Sequence, residues 1–156
     1  MKKIKYFLTT FTFFTFWFNG KAQDTDDLSK IARNDINVYV GIYDLNINYE
    51  RNIIQSAKSY SNIRVGYGYV MNNFGGEGRY IGPAFVHLLG KGNGHVEFDV
   101  GIKYMLTNTI VDPDFSDTVI PDIFVGYRYE TPSNGLVLRA GLNYPTVLNI
   151  GVGYKF

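Results

Sequence analysis

From Ile36 onward, large apolar side chains alternate with glycine or polar ones, and few folds are open to a chain with that pattern. A period of two belongs to a strand with one apolar and one polar face. The last strand shows it plainly. Leu148, Ile150, Val152, Tyr154 and Phe156 share one face, while Asn149, Gly151, Gly153 and Lys155 share the other. Val96, Phe98, Val100, Ile102 and Tyr104 likewise oppose His95, Glu97, Asp99, Gly101 and Lys103. Eight such segments are expected, at about 36–43, 45–53, 62–71, 80–89, 95–105, 120–130, 135–144 and 147–156. Glycine, proline and asparagine fill the connections, as in Gly90-Lys91-Gly92-Asn93-Gly94. The chain is all-β.

A short word recurs inside the strands: Val65-Gly66-Tyr67-Gly68-Tyr69, Val100-Gly101-Ile102-Lys103-Tyr104, Val125-Gly126-Tyr127-Arg128-Tyr129 and Val152-Gly153-Tyr154-Lys155-Phe156. Its spacing is irregular, which excludes a solenoid. Tyr39, Val70 and Phe124 are single large residues on otherwise polar faces. The segment from Tyr80 to Leu89 does not alternate cleanly. Pairing it with the next strand about Gly92 sets Tyr80 opposite Tyr104, Ala84 opposite Val100 and His87 opposite Glu97, which points His87 to the polar side.

Alternation leaves open which face is inside. Three features turn the apolar face toward lipid. The polar face carries most strand glycines, among them Gly66, Gly68, Gly126, Gly141, Gly151 and Gly153, and a narrow lumen needs small residues beside large ones. Its charges balance: Glu50, Glu97, Asp99, Asp122 and Glu130 against Arg64, Lys103, Arg128, Arg139 and Lys155. An enclosed charge needs a partner, whereas a solvated one does not. Aromatics on the apolar face gather at strand ends (Tyr49, Tyr69, Tyr80, Tyr104, Tyr129, Tyr144, Phe156), as in two membrane-boundary girdles. A nine-residue strand is roughly 30 Å long and, tilted by about 40°, spans roughly 23 Å, close to the apolar band of an outer-membrane barrel. The expected fold is an eight-stranded antiparallel up-and-down transmembrane β-barrel with a polar, side-chain-filled interior. The competing fold is a soluble, lipocalin-like barrel that binds a small apolar ligand, with the apolar face inward and Tyr39 and Phe124 outside.

Ahead of the strands, Lys2, Lys3 and Lys5 precede thirteen uncharged residues, Tyr6 to Phe18, and then Gly20-Lys21-Ala22. This is the layout of a cleaved signal peptide over 1–22; a membrane-spanning helix needs roughly 20 apolar residues. Residues 23–35 read as a polar, flexible periplasmic leader and 36–156 as the barrel. Cleavage removes four lysines and no acid, leaving 11 basic and 14 acidic groups, a net charge of −3. That balance gives no nucleic-acid footprint, and the absence of cysteine excludes a disulfide scaffold or a thiolate metal site.

With its export signal, its alternating strands and the terminal run Leu148-Asn149-Ile150-Gly151-Val152-Gly153-Tyr154-Lys155-Phe156, the chain resembles the small outer-membrane β-barrel proteins of Gram-negative bacteria. Gly90-Lys91-Gly92-Asn93-Gly94-His95-Val96-Glu97 and Gly126-Tyr127-Arg128-Tyr129 further resemble an uncharacterised family within that group. The resemblance implies an outer-membrane location, contact with outer-membrane lipid and recognition of the last strand by the barrel-assembly machinery, with Tyr154 and Phe156 as the assembly signal. It implies no catalytic residue. The connections on the outer side would lie near Asp44 and at 72–79, 106–119 and 145–146. Only one of these is long, which leaves little surface for adhesion.

Few constellations suggest chemistry. His87, His95 and Glu97 would all point inward near one turn, a low-ranking metal set beside the plainer reading of a hydrogen-bonded plug. No serine or threonine is near either histidine in sequence, so a nucleophile–base pair is not expected, and the chain reads as no enzyme. Asp112, Asp114 and Asp117 make the long loop acidic without calcium-loop spacing. No cofactor motif is present, and no feature sets an oligomeric state. The inward charges read as a paired structural network; a narrow ion-conducting pore is the functional alternative, opposed by side chains that fill an eight-stranded lumen. The expected role is structural or interaction-level.

Overall fold

The computed structural model describes residues 34–56, 58–71, 76–107, 109–110, 119–132 and 135–156. The expected signal peptide, most of the expected leader, and Asp112, Asp114 and Asp117 lie outside the described residues. The strands are β1 (Asn34–Gly41), β2 (Asp44–Gln55), β3 (Ser59–Val70), β4 (Gly76–Leu89), β5 (Gly94–Met105), β6 (Thr109–Ile110), β7 (Val119–Glu130), β8 (Leu136–Tyr144) and β9 (Val147–Lys155). All pairings are antiparallel, each long strand pairs with its chain neighbours, and β9 returns to β1 with Ile36 opposite Tyr154 and Val40 opposite Ile150. The eight long strands therefore close into an up-and-down barrel. The two-residue β6 stands apart, pairing only with Gly76 and Glu77 at the start of β4. Both Asn34 and Phe156 lie at one end of the barrel, joined by reciprocal backbone hydrogen bonds of 3.0 and 2.8 Å. That end is called the terminal end below, and the other the far end.

The polarity of the barrel is inverted relative to a soluble protein. Val100 is 58% exposed, Leu142 65% and Tyr154 57%, while Arg128, Glu50 and Glu97 are fully buried. Tyr39 and Phe124 are buried inside with the charges. The soluble lipocalin-like alternative required the opposite placement, and the structure overturns it. The lumen is filled largely by polar and ionic groups. Apolar side chains are interspersed, among them Val86, Leu88, Phe124 and Val137, and a small cluster of Val70, Tyr80 and Met105, with Ile120 against it, lies at the far end.

Glycine makes room for the large inward side chains. A Cβ on Gly151 would lie 2.4 Å from the Tyr39 ring, and one on Gly126 2.4 Å from the Phe124 ring, closer than any real contact. The ring and the facing backbone occupy one space, so these positions admit no side chain.

Three expectations are corrected. The first concerns the start of the barrel. Its first strand includes Asn34 and Asp35 ahead of Ile36, because they pair with Arg51 and Glu50, and Asp35 also pairs with Lys155. Secondly, β4 is slipped by one residue from its expected register. Tyr80 faces Met105, Ala84 faces Gly101, and Leu88, not His87, faces Glu97. The β4–β5 connection is the four-residue run 90–93, with Gly90 and Gly92 at positive φ, and Leu89 pairs with Val96, so the ladder is centred between residues 92 and 93. A one-residue slip reverses every side chain. Tyr80, Ala84, Val86 and Leu88 are therefore buried in the lumen, while Ile81, Phe85 and Leu89 are exposed outside, and Tyr80 does not belong to the outer girdle. Thirdly, the 45–53 and 62–71 segments extend to Gln55 and back to Ser59, past a bulge between Asn52 and Ile54.

Candidate functional site

Ten inward charges were expected in the lumen, and the structure places all ten there as one connected chain. At the terminal end Lys155 Nζ donates to Glu130 Oε2 at 2.6 Å, and the Tyr60 hydroxyl donates to Glu130 Oε1. Glu130 lies 3.8 Å from Arg128 Nη1. Arg128 is the hub: Nη2 donates to Glu50 Oε2 at 2.8 Å and Glu97 Oε1 at 2.9 Å, Nε to Glu97 Oε2 at 3.0 Å, and Nη1 to Asp35 Oδ2 at 3.4 Å. Arg139 Nη2 lies 3.1 Å from Glu97 Oε1 and donates to Asp99 Oδ2 at 2.9 Å. Arg64 joins Asp99 at 2.5 Å to Asp122 at 3.1 Å. Lys103 closes the sequence at the far end, 3.5 Å from Asp122 and 2.6 Å from Asp44.

Neutral groups complete the network. Tyr39 donates its hydroxyl to Glu50 at 2.7 Å, Asn62 donates to Glu50 at 3.0 Å, Asn143 donates to Asp122 at 2.9 Å, and Tyr80 donates to Asp44 at 2.7 Å. The Arg139 guanidinium lies 3.8 Å from the Tyr39 ring centre and 4.0 Å from that of Phe124. Aromatic faces attract a desolvated cation, so these two rings carry part of its electrostatic load. In the far half a cavity of about 20 Å³, bordered by Tyr39, Asp44, Arg64, Lys103 and Asn149, has room for about one water.

Two members were missed. Asp35 had been assigned to the leader and Asp44 to a turn, yet both are buried and ion-paired. The signal was present as parity: Asp35, Asn37 and Tyr39 alternate on β1, as do Asp44, Asn46, Asn48 and Glu50 on β2. With them, among the described residues, the lumen holds seven carboxylates (Asp35, Asp44, Glu50, Glu97, Asp99, Asp122, Glu130) against five Lys and Arg side chains. Among the described residues the expected five-to-five balance is corrected to an excess of two acids.

The low-ranking metal set is not assembled. His95 is buried in the lumen, its Nε2 4.0 Å from Glu130, whereas His87 takes the outward parity on β4 and its Nδ1 lies 2.8 Å from Ser61 Oγ. Among the described residues no group of three or more histidine, aspartate or glutamate side chains is placed to hold a metal. Ser61 is distant from His87 in sequence, and the β3–β4 register brings the two together. The sequence reading had excluded such a serine by proximity along the chain alone.

No family model and no curated protein matches the chain. The narrower resemblance to an uncharacterised family therefore gains no support. A solved structure from the de novo design of transmembrane beta-barrels is similar to it, with a TM-score of 0.52 at 16% identity, covering 82% of this chain and 98% of that one. Together with the closed ladder, this similarity establishes the architecture as an all-β, eight-stranded antiparallel barrel with a charged interior and an apolar outside.

Proposed function

We propose that this protein is an integral outer-membrane barrel with a structural or interaction role and no catalysis. The inverted polarity carries the reading. Apolar residues from all eight long strands face outward, and water would penalise such a surface while acyl chains accept it. Each of the eight long strands is paired on both edges, as backbone in lipid must be. Tyr49, Tyr127, Tyr129, Tyr154 and Phe156 lie outward toward the terminal end and Tyr104 and Tyr144 toward the far end, a distribution that suits two interfacial girdles.

In this reading residues 1–22 direct export, and β9 with its exposed Tyr154 and Phe156 is the segment that the barrel-assembly machinery engages. The filled lumen and the apolar cluster at its far end favour a closed barrel over a conducting one. The Ser61–His87 pair is read as mutual satisfaction of two polar groups on the outer wall. Cell fractionation tests the proposal. The protein should remain with outer membranes after carbonate washing and run faster on gels before heating. Recovery in the soluble periplasmic extract without a heat shift would refute it. Deleting Phe156 should sharply lower the inserted fraction; unchanged insertion would remove the assembly role given to β9.

A further inference from the structure

Arg51, Lys58, Arg79 and Lys91 stand outside the lumen network. All four are exposed, and among the described residues none has an ion-pair partner. Arg79 is at the far end, and the other three gather in one sector of the terminal end. Arg51 takes the outward parity on β2, between Asn34 of β1 and Ile63 of β3. Lys58 is in the β2–β3 turn and Lys91 in the β4–β5 turn, and Gly90 N donates to the Lys58 carbonyl at 3.0 Å, which sets the two turns side by side. The carboxylates described toward this end, Asp35, Glu50, Glu97 and Glu130, point into the lumen instead. A second observation marks the depth. Just inside the two turns, Ser61 Oγ and His87 Nδ1 meet at 2.8 Å on the outer wall, and two residues further on Ile63 and Phe85 stand exposed. From Lys58 to Ile63, roughly 16 Å of strand, the wall passes from cations through a polar pair to bare hydrocarbon. A phosphoglyceride presents its phosphate, its ester-bearing glycerol and its acyl chains in that order.

We propose that this rim, over β2–β4, holds the headgroup of an anionic phosphoglyceride in the leaflet that the terminal end meets. The proposal rests on the membrane reading above and names the lipid that one sector of the wall prefers. Arg51, Lys58 and Lys91 supply the charge for the phosphate. A zwitterionic lipid brings its own ammonium group beside that phosphate, so the same three bases gain less from it. The apolar continuation selects a lipid over a soluble polyanion, because hydrocarbon lies directly beyond the bases. Across the barrel, the terminal ends of β7 and β9 present Tyr129, Tyr154 and Phe156 to the outside. Those rings suit any headgroup, so the charge preference belongs to one sector rather than to the whole circumference. Each Lys or Arg near an anionic leaflet strengthens the attraction by roughly fivefold.

The test folds the full chain into mixed micelles holding equal phosphatidylglycerol and phosphatidylcholine, and native mass spectrometry counts the lipid that each barrel keeps. Phosphatidylglycerol should be retained over phosphatidylcholine by roughly tenfold or more. Arg51→Gln, Lys58→Gln and Lys91→Gln should each lower that preference, by up to about fivefold, and together bring the two lipids close to parity. Arg79→Gln, at the far end, should leave it intact. A wild-type chain that shows no heat shift and does not insert refutes the membrane reading, and this one with it. Insertion with equal retention of the two lipids overturns the lipid site alone. So does a preference that survives all three single substitutions, which decides the matter even if the triple variant does not fold. Loss of the preference to excess inorganic phosphate at constant ionic strength would assign the bases to a soluble anion and overturn the proposal. Asp24, Asp26 and Asp27 precede the described residues. A preference that emerges only after their replacement by asparagine would make the leader the occupant, with the same result.

Discussion

Arg128→Ala is the sharpest test of the lumen as a structural device. The side chain is fully buried and bridges β1, β2 and β5 through Asp35, Glu50 and Glu97, with Glu130 of its own strand beside it. Truncation leaves Glu50 with Tyr39 and Asn62 as hydrogen-bond donors, and Glu97 with Arg139, in a lumen from which water is largely excluded. Breaking a buried ion pair by removing one partner costs about 3–5 kcal/mol, most of it the stranded charge rather than the lost contact. Lys155→Ala is the internal control. Lys155 pairs with Glu130 at the terminal opening, both side chains are slightly exposed, and water can reach the stranded carboxylate, so the expected loss is about 1 kcal/mol. Urea unfolding in lipid vesicles, followed by far-ultraviolet dichroism and by gel heat-modifiability, reads both variants against the wild type. Adding Glu97→Gln to Arg128→Ala should recover part of the loss, because one stranded charge is then removed. An Arg128→Ala barrel destabilised by less than about 1 kcal/mol, or no more than Lys155→Ala, would refute the claim that this network holds the strands together.

Other outcomes follow from the packing and from the outer face. Gly151→Val places a side chain where the Tyr39 ring lies and should cost about 1–3 kcal/mol in the same unfolding assay. Val100→Arg, at the middle of β5 and outward, should cost about 2–4 kcal/mol in lipid; a negligible change would deny that this face meets acyl chains. Planar bilayers carrying the purified protein should stay electrically silent, and reproducible unitary currents would replace the closed barrel with a pore.

Much of this architecture was legible in the residues because a strand reports its faces locally. In β5, in β8 and in β9 from Leu148 onward the alternation runs unbroken, and it predicts which side chains are buried. Even the exceptions were readable: Tyr39, Val70 and Phe124 break the apolar–polar pattern without breaking parity, and all three are inside. β4 was not legible by itself. Gly78, Tyr80, Gly82, Ala84, Val86 and Leu88 on the inner face are no more polar than Ile81, Phe85 and Leu89 on the outer one, so its own composition cannot set its parity. Two neighbouring ladders set it, with Tyr67 opposite Ile81 on one side and Val100 opposite Phe85 on the other. Asp35 and Asp44 were lost for a related reason, since strand ends have no pattern beyond themselves to mark where pairing stops.

What the order of residues determined alone is the two-faced strand, its repetition eight times, and therefore a closed sheet with one greasy and one ionic side. Which ions meet was decided only when the sheet closed. Arg128 and Glu50 are 78 positions apart, and they touch because the stagger of eight paired strands brings them to the same height across the lumen. A period of two fixes direction but carries no information about height. Ring closure supplies that height, and with it the ion pairs that no single strand reveals.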